Sequence, residues 1–146
     1  MELLQAAHIA SLSAWAGVKS AELVVEVLGR QGRTRYAAAR IHMGINAFFE
    51  APLLVAITAT GVLLFRAAAE TSALLWAVML CGAVAVALNV VASHAVVLRA
   101  LRVAVSDDID LDRHGKFTRW IFLPSFASVP FGLAALFMGG RLLAWW

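Results

Sequence analysis

The chain has 146 residues, of which 62% are hydrophobic and only 14% are charged. Soluble domains carry about 25% charged residues, so this composition excludes an ordinary water-soluble domain and places the chain in the lipid bilayer. The net charge of +3 does not indicate nucleic-acid binding, because the basic residues are concentrated in short segments between apolar runs, as in membrane proteins.

Four apolar segments follow one another along the chain, at about residues 3–28, 36–65, 73–101 and 117–143. Each exceeds the roughly 20 residues that a helix needs to cross about 30 Å of hydrocarbon. None shows the short alternating pattern of a membrane β-barrel, and short loops make neighbouring helices pack antiparallel. We therefore predict an all-α integral membrane protein, with residues 1–146 forming a single transmembrane domain folded as an up-down-up-down four-helix bundle. Prolines inside the second and fourth segments predict kinks there, at Pro52, Pro124 and Pro130.

The distribution of basic residues predicts the orientation in the membrane. Loop one, "GRQGRTR", is strongly basic, whereas loop two, "RAAAETS", holds one arginine. The region around loop three is also basic, through Arg99, Arg102, Arg113, Lys116 and Arg119. By the positive-inside rule, loops one and three lie in the cytoplasm and both termini lie outside. We expect this membrane to be a bacterial inner membrane.

The first segment contains polar residues that are costly in lipid. In "AHIASLSAWAGVKSAELVVEVLGR", spacings of three and four place one set of side chains on a single helix face, formed by His8, Ser11, Trp15, Lys19, Glu22 and Glu26. A charge at the bilayer centre costs at least about 2.5–3.5 kcal/mol. This face is therefore predicted to point into the bundle.

The second and third segments supply matching polar residues. His42, Asn46 and Glu50 are spaced four apart and share a face. In the third segment Asn89 and Ser93 share a face, from which His94 is rotated by about 100° or more, so either this pair or His94 faces the centre. At about 1.5 Å per residue, groups on the three helices reach similar depths. We predict a polar intramembrane network formed by Lys19, Glu22, Glu26, Asn46, Glu50 and Asn89.

The histidines are candidate ligands of a haem iron, the one metal that we predict. His42 and His94 lie at similar predicted depths on adjacent antiparallel helices, and two facing imidazoles in a bundle can hold haem b. His8, near the outer surface, is a third candidate ligand, although interfacial packing or proton transfer would also explain it. The alternative for the whole polar set is hydrogen bonding between helices, at about 0.6–2 kcal/mol each. No nucleophile–base pair or phosphate-binding glycine loop identifies a catalytic residue.

Two segments resemble a known family. "LLQAAHIASLSAWAG", with His8, Trp15 and Gly17, resembles the opening of the HemJ-type protoporphyrinogen oxidases and the related CopD-like membrane proteins. "SHAVVLRALR", with His94 and Arg99, resembles their third span. The resemblance implies haem binding in a small helical bundle and redox chemistry with quinone as a partner. "IFLPSFASVP" stands in the last span, where the family carries an acidic signature.

A second segment, "RIHMGINAFFEAPLL", resembles the second span of the membrane-associated glutathione transferases through Arg40, Asn46, Glu50 and Pro52. Its Asn-to-Glu spacing is four, where three is expected. From these patterns we predict a haem-binding redox or electron-transfer protein. The alternatives are an accessory subunit of a larger membrane complex, or of a homo-oligomer, and a glutathione-transferase-like enzyme.

Overall fold

The described part of the chain is helical. A computed structural model describes residues 2–29, 34–68, 72–105 and 111–142, with side chains left undescribed at 103–117 and 142. The helices are α1 (Glu2–Leu28), α2 (Thr34–Ala67), α3 (Ala73–Val105) and α4 (Leu111–Leu142). The predicted all-α four-helix bundle is confirmed. The loop-one residues Arg30 and Arg33 lie outside the described residues, as do the side chains of Arg113 and Lys116.

Helix length and apolarity make this an integral membrane protein. Three segments are long and apolar enough to cross a membrane, at Thr34–Ala67, Ala73–Arg102 and Thr118–Arg141. α1 has 27 residues and extends about 40 Å at 1.5 Å per residue, which is also sufficient. Unlike the other three, it contains no stretch apolar enough to be identified as a membrane span, because of the polar face described below. Large apolar side chains such as Phe48 and Phe137 point outward, as lipid-facing residues should.

Contacts between side chains show that the first three helices run antiparallel. On α1 and α2, Glu26 meets His42, and eighteen residues further along each helix, in opposite chain directions, His8 meets Thr60. On α2 and α3, His42 meets Arg99 and Asn46 meets Ser93, so the partner on α3 comes earlier in the chain as the residue on α2 comes later. α4 packs mainly along α3, in the most extensive contact of the bundle. The polar side chains are therefore supplied by α1, α2 and α3.

Small residues allow the helices to approach one another closely. Buried alanines line the contacts of α2 and α3, at Ala38, Ala39, Ala92, Ala95 and Ala100. At the end of α1, a Cβ atom added to Gly29 would lie 2.2 Å from the Cβ of Ala38. Membrane helices lack a hydrophobic driving force between them and rely on such close packing.

A π-helical turn interrupts α2 at Asn46–Glu50. In this turn the backbone N–H of Ala51 bonds to the carbonyl of Asn46, five residues back instead of four. Pro52 follows immediately and has no N–H to give to the carbonyl four residues before it, which explains why the α-helical pattern changes here. α4, by contrast, continues as one helix through Pro124 and Pro130. The π turn lies at the same level as the polar residues of α1.

Candidate functional site

The first layer of the site, near the loop-one end of the bundle, joins one residue from each of three helices. Arg99 of α3 donates from Nη1 to Oε2 of Glu26 at 2.8 Å and from Nη2 to Oε1, so its guanidinium grips both carboxylate oxygens. His42 of α2 contacts the same carboxylate through Nδ1. All three residues are buried, and Arg99 is 3% exposed. A forked pair of this kind is among the stronger hydrogen-bonded ion pairs in proteins.

The second layer lies about one helical turn deeper. Nζ of Lys19 is 2.9 Å from Oε2 of Glu22, and it also contacts Oε1 of Glu50. Nε2 of His42 lies 3.6 Å from Oε1 of Glu22. The imidazole is thus placed between two carboxylates, with Glu26 at one nitrogen and Glu22 near the other, and it connects the two layers.

The third layer is formed by amides and a hydroxyl at the π turn. Nδ2 of Asn46 donates to Oε2 of Glu50 at 2.5 Å and to Oγ of Ser93 at 2.8 Å. Glu50 is completely buried. Asn89, one turn from Ser93 along α3, is also buried and donates from Nδ2 to the carbonyl of Ala85 at 2.8 Å. The polar site therefore extends over about three helical turns of α1, α2 and α3.

The ionic groups of this site nearly cancel. Three carboxyl groups, those of Glu22, Glu26 and Glu50, face two basic side chains, those of Lys19 and Arg99, each counted here with its formal charge. With a neutral His42 and ionised carboxyl groups, the network would carry one negative charge in a low-dielectric interior, where an uncompensated charge is costly. One proton makes the network neutral. The hydrogen-bonded set thus has room for one exchangeable proton, which belongs to the coupled network as a whole.

The sequence-predicted network residues lie together, but the histidines do not. Asn89 and Ser93 face the interior, whereas His94 is exposed on the other side of α3, as their angular separation requires. His42 is engaged by two glutamates. His8 lies eleven residues from Lys19 along α1, about 16 Å further toward the opposite end of the bundle. The three candidate haem ligands therefore occupy three separate places.

Arg99 lies at the centre of the site, although the sequence predicts it only as one of the basic residues that flank loop three. Its burial has a sequence signal, since Asn89, Ala92, Val96 and Arg99 are spaced by three and four and are all buried. This spacing places Arg99 on the inward face of α3. An arginine on that face, level with Glu26, is a candidate partner for the carboxylate.

His8 forms a second, smaller polar site near the opposite end of the bundle. Its Nδ1 lies 2.7 Å from Oγ1 of Thr60, and this hydroxyl is 2.6 Å from the carbonyl of Ala56. Because the hydroxyl donates its one hydrogen to that carbonyl, it accepts from Nδ1–H. The ring then carries its free lone pair on Nε2. Gly61 leaves room beside the ring, since a Cβ added there would be 3.4 Å from Cε1 of His8.

No family model, curated protein or solved structure matches this chain. Within residues 2–29, 34–68, 72–105 and 111–142, no group of three or more His, Cys, Asp or Glu side chains is arranged to hold a metal ion. The polar network and the His8 site are therefore the features of this chain that bear on its function.

Proposed function

We propose that this protein transfers protons within the membrane, along the chain of ionisable side chains between the loop-one end and the middle of the bundle. The observation that carries the proposal is the position of His42 between Glu26 and Glu22. An imidazole accepts a proton at one nitrogen and releases one from the other. Placed between two buried carboxylates, it passes a proton from the first layer to the second.

The basic side chains of Lys19 and Arg99 determine how many protons the path carries. Arg99 holds Glu26 on one side of His42, and Lys19 bridges Glu22 and Glu50 on the other. Since one proton neutralises the network, a second would leave it positively charged, and the loss of the first would leave it negative. Chains of ionisable side chains in membrane helices are typical of proton relays. With loops one and three in the cytoplasm of a bacterial cell, as the basic residues predict, protons enter from the cytoplasmic side near Glu26.

The proposal is tested by the rate at which a proton reaches Glu50 after a pH jump. The protein, reconstituted in lipid vesicles with 13C-labelled glutamate, is followed by time-resolved infrared spectroscopy of the carboxyl stretch. We expect His42→Gln to slow this signal by at least about tenfold, a modest effect for loss of a proton-transfer group. Glu22→Gln should slow it as well, and it serves as the test if His42→Gln does not fold. Glu2→Gln, at an exposed residue in the first turn of α1, is the matched control.

An unchanged rate in folded His42→Gln and Glu22→Gln would overturn the proposal. It would mean that the proton reaches Glu50 by another route, and that the network only holds the helices together. A slow rate in Glu2→Gln as well would attribute the effect to general loss of structure. Thermal unfolding of each variant identifies this case.

A second candidate function, redox chemistry on haem, is supported by the geometry of His8. The hydrogen bond from Nδ1–H to Thr60 fixes the ring so that Nε2 is the nitrogen able to bind iron, which is the usual arrangement of a histidine ligand and its supporting partner. The predicted pair of His42 and His94 does not fit a shared haem, since one is engaged in the network and the other is exposed. Haem b would supply electron transfer if bound, with quinone as its predicted partner.

An absorption spectrum of the purified protein tests this candidate. A Soret band that is lost in His8→Ala and kept in His94→Ala would support ligation by His8. A band lost in His94→Ala but kept in His8→Ala would favour the predicted pair of His42 and His94. A colourless protein prepared with added haem would exclude haem binding. Packing into a larger complex or a homo-oligomer stays a prediction, tested by the mass of the detergent-solubilised assembly.

A further inference from the structure

The deep end of the network has a well-defined position in the bundle. The contact between Asn46 and Ser93 fixes the register of α2 against α3. Because the two helices are antiparallel, one turn outward from this contact brings Glu50 on α2 level with Asn89 on α3. Both residues are almost completely buried, with exposures of 0% and 1%.

The acceptor oxygen of Asn89 has no partner among the residues that the structure describes. Oδ1 of Asn89 accepts no hydrogen bond, although its Nδ2 is bonded to Ala85. Buried polar atoms in native proteins are nearly always paired, with protein or with an ordered molecule. An orphaned acceptor buried this deeply, level with the last carboxyl group of the network, indicates a ligand.

We propose that Asn89 and Glu50 bind a neutral ligand that carries a hydroxyl group, and that this ligand exchanges a proton with Glu50. The ligand must donate to Oδ1 of Asn89 and accept the proton of Glu50, which a hydroxyl group does. It is neutral because one proton already neutralises the ions around it. A bound water molecule and the hydroxyl of a lipid-soluble compound share this chemistry. The inference rests on the proposed function, since it names the group on the far side of the proton path.

The exchange leaves the ligand unchanged. The O–H bond of the Glu50 carboxyl breaks as a new O–H bond forms on the ligand oxygen, and the original O–H bond of the ligand breaks as its proton passes to a water molecule on the outer side. Glu50 is then ionised beside Lys19, which it already contacts. No oxidant or reductant is needed.

The first test uses the thermal stability of Asn89→Leu. If Oδ1 is bound by a ligand, its removal should lower the midpoint temperature by about 4 °C, as expected for a lost hydrogen bond in a chain of this size. If Oδ1 is simply unpaired, leucine should leave the midpoint unchanged or raise it, and the inference is overturned. Ser128→Ala is the matched control, because Ser128 is buried on α4 and bonds only within its own helix, to the carbonyl of Ser125.

The second test identifies the ligand. Infrared spectra of the lipid-stripped protein in H2 16O and H2 18O should show a shifted O–H band for bound water, absent from Asn89→Leu. A hydroxyl compound recovered by organic extraction at one per chain, and lost from the same variant, would assign the site to a lipid-soluble molecule instead. With neither signal, the site holds no such ligand and the inference fails.

These outcomes are separable from failure of the proposed function. Asn89→Leu should slow the onward release of the proton from Glu50 at least tenfold, whereas His42→Gln should slow its arrival there. If His42→Gln slows arrival while Asn89→Leu affects neither step, the proton path stands without the ligand. If neither variant has an effect, both proposals fail.

Discussion

Replacing Arg99 by leucine is the most direct test of how the network is held together. Arg99 is 3% exposed and grips both oxygens of Glu26. Its removal leaves a carboxylate buried in the membrane with His42 as its remaining neighbour. Removing one partner of a buried ion pair costs about 3–5 kcal/mol. At about 2–4 °C per kcal/mol for a chain of this length, the midpoint of thermal unfolding should fall by roughly 10 °C.

The double variant Glu26→Leu with Arg99→Leu separates the ion pair from the packing around it. Replacing a buried pair by apolar residues of similar size is often neutral or stabilising, so the double variant should recover most of the lost stability. The loss of stability in Arg99→Leu alone should also become smaller as the pH falls, because a protonated Glu26 carries no charge that needs a partner.

The assay is thermal unfolding of the detergent-solubilised protein, followed by circular dichroism over a range of pH. Arg66→Leu is the control, since Arg66 is exposed near the end of α2 and surface substitutions stay within about 0.5 kcal/mol. Equal midpoints for Arg99→Leu and Arg66→Leu would refute the buried pair. The buried pair would also be refuted if the double variant lost as much stability as its two single variants together.

Two further variants test the close helix contact and the small polar site. Gly29→Ala should destabilise the protein by about 1–3 kcal/mol, the usual cost of overpacking, because its new methyl group meets the backbone and side chain of α2; Gly17→Ala, which meets nothing within 4 Å, should be neutral or slightly stabilising in thermal unfolding. Thr60→Val should cost about 1 kcal/mol and should change the 15N NMR shifts of His8 from one tautomer to a mixture. An unchanged His8 spectrum would show that Thr60 does not fix the ring.

The fold could be predicted from the sequence because it depends on a property summed over many residues. Twenty or more apolar residues in a row leave few alternatives to a membrane helix, and four such runs joined by short loops leave few alternatives to an antiparallel bundle. Among the described helices, α1 is the one without a stretch apolar enough to be identified as a membrane span. Its departure from the pattern is what identified the polar face in the sequence.

The polar network could be predicted in part, through the spacing of its residues. On α1, Lys19 meets Glu50 of α2, and Glu22 and Glu26 both meet His42 of α2, as spacings of three and four allow. The identity of each partner does not follow from spacing, because it depends on the rotation and height of neighbouring helices. The spacing also did not decide which face of the third helix points inward, the one with Asn89 and Ser93 or the one with His94.

Arg99 shows how one sequence rule can obscure another. Basic residues near a loop predict the orientation of the protein in the membrane, and Arg99 contributes to that prediction. The same residue lies on the inward face of α3, three residues after the buried Val96. An arginine near the end of a span can serve both the orientation of the helix and a buried carboxylate.

The π turn bears on the resemblance to the glutathione transferases. The extra residue between Asn46 and Glu50 falls inside Asn46–Glu50, the π-helical segment itself. A π turn accommodates about one residue more than an α turn, so both side chains still face the interior and meet. The unexpected spacing therefore does not separate the two residues. The enzymatic activity stays a prediction, which conjugation of glutathione to an electrophile, compared in wild type and Glu50→Gln, would test.

The charges of α1 also explain how this helix can reside in a membrane. Inserted alone, it would expose three charged groups to lipid, at a cost of about 2.5–3.5 kcal/mol or more each. This cost agrees with the finding that α1, unlike the other three helices, contains no stretch apolar enough to be identified as a membrane span. Within the bundle, Arg99 and His42 face Glu26, and Glu50 faces Lys19. Each of these partners comes from α2 or α3. The stability of α1 in the bilayer therefore depends on the same contacts that form the proton path, so substitutions that interrupt the path should also loosen α1 from the bundle.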